Sequence, residues 1–327
     1  PDAMTKDIPA HALVADIGGT NARFATADLA TLALRDIRTF PTAEHATLAA
    51  AMRAYLKDAP EKIAHAGLAV AAPLRDDTVK FTNAVWTFKQ STLAQEAGLE
   101  AAYVFNDFEA QAYALPVLSD DEIHALGGGG VVAGAPKAVL GPGTGLGVAA
   151  LIWSPSGWIP VPGEGGHQTF PAENERELAI LERMRKGLGR LSVERVLSGP
   201  GLADLYQAIA ASNGLGDVEL SPKEVEQRAI SGEDDMATQA LDFFVQWFGR
   251  FAGDMALAFG ARGGVYIGGG IAPKMLSRLE QADFREEFER KGRMKPYVEA
   301  IPIQVIVSDY PGLKGAAAGL CTKLANA

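Results

Sequence analysis

The sequence predicts a two-domain α/β protein, and three observations carry that prediction. Its 327 residues exceed the ~250 at which single hydrophobic cores stop growing. Short apolar runs alternate with helical patterns, as in a mixed sheet flanked by helices. A strand, a glycine-rich tip and a return strand near the N-terminus recur about one domain later, as in a duplicated two-lobed nucleotide binder.

Leu13–Ala15 is a short buried strand, followed by the turn Asp16-Ile17-Gly18-Gly19-Thr20-Asn21 and a return strand over Ala22–Ala27. Thr42 is placed to cap a helix whose apolar positions Leu48, Met52, Tyr55 and Leu56 follow helical spacing. Ala66–Ala71 is the next strand. Ser91–Ala97 is a short helix stopped by Gly98, and Ala101–Phe105 is a strand running into Asn106-Asp107. After the glycine run 127–130, the strand Val139-Leu140 leads to the tip Gly141-Pro142-Gly143-Thr144-Gly145-Leu146-Gly147, and Val148–Trp153 returns. Further helices are predicted over 173–185 and from the capping box Ser221-Pro222-Lys223-Glu224. A long amphipathic helix lies around Leu241–Phe259, with Asp242, Gln246, Arg250 and Asp254 on its polar side. The strand Val265–Ile267 opens onto Gly268-Gly269-Gly270, and Ile303–Val307 is a late strand. The Ala- and Gly-rich segment Leu313–Leu324 is a helix packed closely on a sheet. The expected domains are a small one of residues 4–116 plus 308–327 and a large one of residues 117–307.

Composition excludes several classes of function. Thirty Lys plus Arg against forty Asp plus Glu give a net charge of −10, which disfavours nucleic acid because a phosphate backbone needs a basic face. The single cysteine, Cys321, can form neither an internal disulfide nor a cysteine zinc site, and points to a reducing compartment. No stretch reads as a signal peptide, and the charges along the 241–259 helix argue against a membrane span, so a cytoplasmic protein is expected. Pro1, Asp2 and Ala3 ahead of Met4 read as the remnant of an expression tag.

Glycine tips let backbone N–H groups approach phosphate oxygens, and a threonine adds a hydroxyl. Gly18-Gly19-Thr20 and Gly143-Thr144-Gly145 thus read as two phosphate clamps, each of which could equally be a tight hairpin turn. Neither is a Walker A loop, since Gly-Lys occurs nowhere in the chain. The dinucleotide-like run from Gly145 opens a strand where that fingerprint needs a helix. Asp16 ends a buried strand, where a carboxylate needs a hydrated magnesium ion, nearby amides or an Asx-turn. Asn106 and Asp107 end another, at the edge where α/β proteins bind ligands; helix capping is an equal explanation of Asp107. Glu164 and His167 share a glycine-flanked loop and can bond sugar hydroxyls. Glu194 precedes Arg195, with which a surface ion pair is the default.

Seven segments, LVADIGGTNARF (13–24), FTNAVWTF (81–88), NDF (106–108), LGPGTGLG (140–147), GEGGH (163–167), VERVLSGPGL (193–202) and VYIGGGI (265–271), together resemble the bacterial glucokinase family over nearly the whole chain. The resemblance implies the actin-like, ribonuclease H-like ATPase fold of hexokinases, with a cleft between a small and a large domain. It implies that Asp107 is the catalytic base and that Asn106, Asp107, Glu164, His167 and Glu194 bind the sugar. It also implies that Asp16, Ile17, Gly18, Gly19, Thr20 and Asn21 form one ATP phosphate loop, with Asp16 acting on Mg2+ through water. Gly143, Thr144 and Gly145 would form the second loop, and Gly268, Gly269 and Gly270 would lie near the adenosine. Glucose, ATP and Mg2+ are the expected ligands and a homodimer the expected assembly. The cysteine-rich motif of the related family of repressors, open-reading-frame proteins and kinases is missing, so no structural zinc is expected. Two rival readings remain: a kinase for another hexose, and a sugar-responsive regulator, although the chain leaves no room for a helix-turn-helix ahead of His11.

Overall fold

The computed structural model describes residues 9–81, 86–216 and 218–326. The expected tag remnant, the first residues of the expected small domain and Thr82–Val85 of the second resembling segment lie outside them. The chain divides into two compact units, one of Pro1–Asp120, Trp158–Pro162 and Ser308–Ala327, the other of Asp121–Gly157 and Gly163–Val307.

The first unit contains β1 (His11–Ile17), β2 (Asn21–Asp28), β3 (Leu34–Pro41), α1 (Leu48–Lys57), β4 (His65–Val70), the small hairpin β5 (Thr78–Lys80) and β6 (Thr87–Lys89), α2 (Gln90–Ala97), β7 (Ala101–Asn106) and α3 (Asp107–Ala114). The C-terminal helix Pro311–Asn326 completes it. Its main sheet has the order β3-β2-β1-β4-β7, with β1 antiparallel to β2 and parallel to β4, and β4 parallel to β7. Alternation along β1 sorts its side chains onto two faces. Leu13, Ala15 and Ile17 pack with Leu48, Met52 and Tyr55 of α1 and Leu93 of α2. Ala12 and Val14 pack with Ala110 and Tyr113 of α3 and Leu313, Ala316 and Leu320 of the C-terminal helix. Asp16 falls in register with that second set, facing the C-terminal helix.

The second unit carries β8 (Ile123–Gly127), β9 (Lys137–Pro142) and β10 (Leu146–Ser154). In chain order β11 (Gly157–Gly163) follows, of which Trp158–Pro162 are counted in the first unit. The second unit then continues with α4 (Glu175–Met184), α5 (Val193–Val196), α6 (Gly199–Ser212), α7 (Pro222–Ser231), α8 (Asp235–Phe259), β12 (Val265–Ile267) and β13 (Ile303–Ile306). The second sheet runs β11-β10-β9-β12-β13-β8. Stripped of the added antiparallel edge β8, it repeats the first sheet strand for strand: an antiparallel hairpin β9–β10, then β12 and β13 parallel to β9. The duplication expected from the glycine tips is thus a duplication of topology.

Three local expectations are corrected. Thr42 does not cap α1; Thr47 does, accepting the Ala50 N–H at 3.1 Å. The long helix begins at Asp235, where Asp234 caps it by accepting the Met236 and Ala237 N–H groups. Arg250 on that helix is not on a wetted side either. It is 4% exposed and makes a two-pronged ion pair with Glu177 of α4, at 2.8 and 2.9 Å.

Candidate active site

Parallel pairing brings the ends of three strands of the first unit into line. Ile17 pairs with Val70, and Val70 with Asn106. The Gly18–Thr20 tip and the Asn106-Asp107 pair therefore occupy one edge of the sheet, beyond its parallel strands, where α/β proteins place ligands.

Asn106 rather than Asp107 caps α3. Its side-chain oxygen accepts from Phe108 N (3.0 Å) and Glu109 N (3.3 Å), and Glu109 returns the bond to Asn106 N, completing a capping box. Asp107 is left at the first helical position, half-buried, and accepts from Phe108 N at 3.0 Å. Burial pushes its carboxyl up to about 6; the Phe108 N–H opposes this and the Asp16 carboxylate adds to it. A carboxylate with a pKa just below neutrality is ionised at working pH and still basic enough to take a proton.

Asp16 is also pushed up by burial, against the pull of Arg23, whose Nη1 lies 3.6 Å from Oδ2. A Cβ on Gly312, at the start of the C-terminal helix, would stand 2.9 Å from the Asp16 Cγ. Only glycine leaves this carboxylate its place against the helix N-terminus. The turn itself closes through Gly18 N–H to the Asn21 carbonyl at 3.0 Å, so Asp16 is not spent on an Asx-turn. The Thr42 hydroxyl lies 3.0 and 3.1 Å from the carbonyls of Gly19 and Thr20, and the Thr42 N–H donates to Thr20 at 2.9 Å. Because a trans peptide sets its N–H opposite its C=O, holding the Gly19 carbonyl fixes the Thr20 N–H pointing away from Thr42.

In the second unit Leu140 pairs with Ile267, which sets the Gly143–Gly145 tip and the Gly268–Gly270 cluster at one sheet edge. The tip is held from several sides: Gly143 N–H to Gly145 O at 2.8 Å, Gly199 N–H to Gly143 O at 2.8 Å, and Ile271 N–H to Pro142 O at 3.3 Å. Gly268 and Gly269 back directly onto the Gly141–Pro142 backbone, where a Cβ on Gly141 or Gly269 would collide. Beyond the tip β10 is a strand, so the dinucleotide fingerprint is excluded by its context. The loop carrying Glu164 and His167 lies on β10, with Gly166 against the Leu146 carbonyl. His167 stands between two carboxylates, Nε2 3.8 Å from Glu164 Oε2 and Nδ1 3.9 Å from Glu194 Oε1. Those gaps are ionic rather than hydrogen-bonding distances. Glu194, for which local sequence offers a surface pair with Arg195 and the resemblance a sugar-binding role, accepts the Leu146 N–H at 2.9 Å.

The structure thus brings Asp16–Asn21 together with Asn106 and Asp107 in one unit. In the other it brings Gly143–Gly145 together with Glu164, His167, Glu194 and Gly268–Gly270. Sequence reading missed Thr42 and Gly312, whose partners lie far along the chain. It also missed Glu109, although Asn106-x-x-Glu109 is a legible capping box.

The candidate metal is a hard divalent ion, which takes oxygen donors. Asp16 offers a carboxylate with Arg23 as its nearby cation. Among the described residues no group of three His, Cys, Asp or Glu side chains could hold a metal by itself. This donor set fits magnesium, which keeps its waters and leans on substrate phosphates.

Comparison with known proteins places these features in a family. A family model described as Glucokinase matches residues 13–323. The glucokinase of Tolumonas auensis is 43% identical over 312 residues, covering 95% of this chain and 97% of that protein. A crystal structure of glucokinase from an Antarctic psychrotroph superposes with a TM-score of 0.87 at 39% identity, covering 96% of this chain and 99% of that one. A ROK family glucokinase from Streptomyces griseus, in complex with glucose and AMPPNP, shares the fold at a TM-score of 0.63 and 21% identity, covering 94% and 98%. The architecture is the actin-like ATPase fold, with its two sheets of like order. Matched over nearly its whole length by the family model and by relatives of similar size, the chain belongs to the glucokinase family.

Proposed function

We infer that the chain transfers the γ-phosphoryl group of ATP to the 6-hydroxyl of glucose. The observation that carries the reading is the half-buried Asp107 carboxylate, with a pKa of about 6, beside one glycine tip; Glu164, His167 and Glu194 gathered beside the other tip support it. Asp107 receives the proton of the 6-hydroxyl as its oxygen bonds to the γ-phosphorus and the bond to the bridging oxygen of ADP breaks. Asn106, Glu164, His167 and Glu194 hold the other hydroxyls and so orient the sixth. The Thr20 N–H and the Gly143–Gly145 turn receive phosphate oxygens, and Gly268–Gly270 give the adenosine an approach free of side chains. Phosphoryl transfer needs positioning and charge stabilisation above all, which is what rigid turns supply. Magnesium, held at Asp16 through its water, would neutralise charge on the β- and γ-phosphates.

We also propose a homodimer working in the cytoplasm, without nucleic acid or membrane as a partner. The net charge of −10 supports the first exclusion, and no helix among the described residues is long and apolar enough to cross a membrane. Sedimentation at assay concentration tests the dimer.

The test of the reaction is kcat/KM across hexoses. Glucose should lead galactose and fructose by at least ~100-fold, because a site built to bond a hydroxyl rejects analogues that leave its polar groups unpaired. Equal efficiency with galactose would replace this reading by a broad hexose kinase.

Two further results are expected. With Asp107 titrating at about 6, kcat/KM for glucose should be flat above pH 7 and fall about tenfold per unit below pH 6; a flat profile down to pH 5 removes Asp107 as base. Gly312→Ala should fold normally, since the Asp16 side chain can swing aside, yet lose about tenfold or more in kcat as that carboxylate is displaced. Calorimetric melting and steady-state kinetics on one preparation check both halves.

A further inference from the structure

Glu194 divides its two carboxylate oxygens between two tasks. Oε1 faces His167 at 3.9 Å, within the sugar-reading group. Oε2 accepts the N–H of Leu146 at 2.9 Å, at the exit of the second glycine tip. Leu146 is paired across the hairpin with Pro142, which has no N–H and whose carbonyl accepts from Ile271. The tip thus leans on a side chain that comes from α5, 48 residues further along the chain. The fit is tight: a Cβ on Gly145 would stand 2.5 Å from Glu194 Oε2 and 3.3 Å from its Cδ. Glycine at 145 therefore serves the carboxylate as well as the phosphates. Glu194 is itself held, because α5 is capped by Ser192, which accepts from Arg195 N at 3.3 Å, and Val193 N–H donates to Gln168 O at 2.8 Å, next to His167.

We propose that Glu194 is the positioning residue that couples the sugar site to the nucleotide loop, setting the Gly143–Gly145 turn through one oxygen while the other reads the sugar. The proposal rests on the reading above, in which the group around His167 takes glucose and the turn takes phosphate. A sugar hydroxyl bonded to Oε1 restrains the same carboxylate whose Oε2 holds Leu146, so each ligand meets a half-site already ordered by the other. Such coupling is reciprocal by linkage, and the usual range is about 5- to 150-fold. It gives a physical route by which phosphate is bound best when an acceptor sugar is present.

The test is calorimetry with glucose alone and with Mg2+ and ADP alone, on the wild type and three variants. Glu194→Ala removes both contacts and should weaken Mg-ADP binding at least ~5-fold with no sugar present. Glu194→Gln keeps an amide oxygen for Leu146 N–H, so sugar-free Mg-ADP binding should return to within about twofold of wild type while glucose binding stays weakened. Gly145→Ala pushes the carboxylate away and should weaken glucose binding at least ~5-fold with no nucleotide present. A residue that only reads sugar would leave sugar-free Mg-ADP affinity untouched, and a turn that only holds phosphate would leave nucleotide-free glucose affinity untouched. Either result overturns the coupling. Failure of the wild type to bind glucose or Mg-ADP at all would instead overturn the reading on which it rests.

Discussion

Replacing Asp107 by Asn should lower kcat at least ~100-fold while glucose binding changes only a few-fold. Loss of a general base costs about that much, and the amide keeps the size and hydrogen-bonding reach of the carboxylate. A second consequence follows from the same burial. The Asp107 carboxyl stands at about 6 in the folded chain against an ordinary 3.8, so between these values the folded state binds the proton and the unfolded state releases it. Stability from this group is full below the ordinary pKa and is lost as pH rises through about 6. At pH 7.5 the ionised carboxylate therefore weighs against folding, and Asp107→Asn should melt at a higher temperature than the wild type. That advantage should shrink toward zero below pH 4. A variant with near-normal turnover, or one less stable at pH 7.5, contradicts the account of this residue.

Arg250→Met should be among the most destabilising single changes in the second unit. The side chains of Arg250 and Glu177 are 5% and 4% exposed and joined by two bonds, and Glu173 and Glu287 each lie 3.4 Å from the guanidinium. Burial alone would raise the Glu177 pKa, but the Arg250 bonds outweigh it and hold the carboxylate ionised. Removing the cation strands the buried Glu177 carboxylate beside an apolar stem, while Glu173 and Glu287 keep Arg290 as a partner. Breaking a buried pair from one side costs about 3–5 kcal/mol, which for a unit of this size lowers Tm by on the order of 10 °C. The double variant Arg250→Met, Glu177→Leu should recover part of that loss, because the buried charges go together. A single variant melting within 2 °C of wild type would show that water reaches the pair. Its activity should survive at permissive temperature, since none of these side chains belongs to the candidate site.

The contrast between these two sites explains how much could be read beforehand. Asp16 to Asn21, Asn106-Asp107 and the two later glycine clusters were legible because each is contiguous and its chemistry is local: a strand end, a tip, a carboxylate. The capping box at Ser221 and the glycine stop at Gly98 were legible for the same reason, since caps bind within a few residues. What sequence could not show are bonds between distant segments. Arg250 looks like one tooth of a polar stripe, because its partner Glu177 lies 73 residues away. Thr42 looks like a helix cap because hydroxyls ahead of apolar periodicity usually are, yet Thr47 stands nearer the helix and takes that place. Glu194 beside Arg195 looks like a surface pair, and only the fold sets it beside Leu146. The edge strand β3 was invisible for another reason: its Arg35, Asp36 and Thr39 are exposed, and its apolar Leu34, Ile37 and Phe40 recur every three residues rather than in the alternation that marks a strand.

The central claim, that this chain carries phosphate from ATP to the 6-hydroxyl of glucose through Asp107, is tested most directly by counting products. Wild-type protein with Mg-ATP and glucose should form ADP and glucose 6-phosphate one for one, with negligible ADP when glucose is replaced by 6-deoxyglucose or omitted. Asp107→Asn should lower both products together. ADP formed without sugar at a comparable rate, or a phosphorylated product from 6-deoxyglucose, would contradict the account.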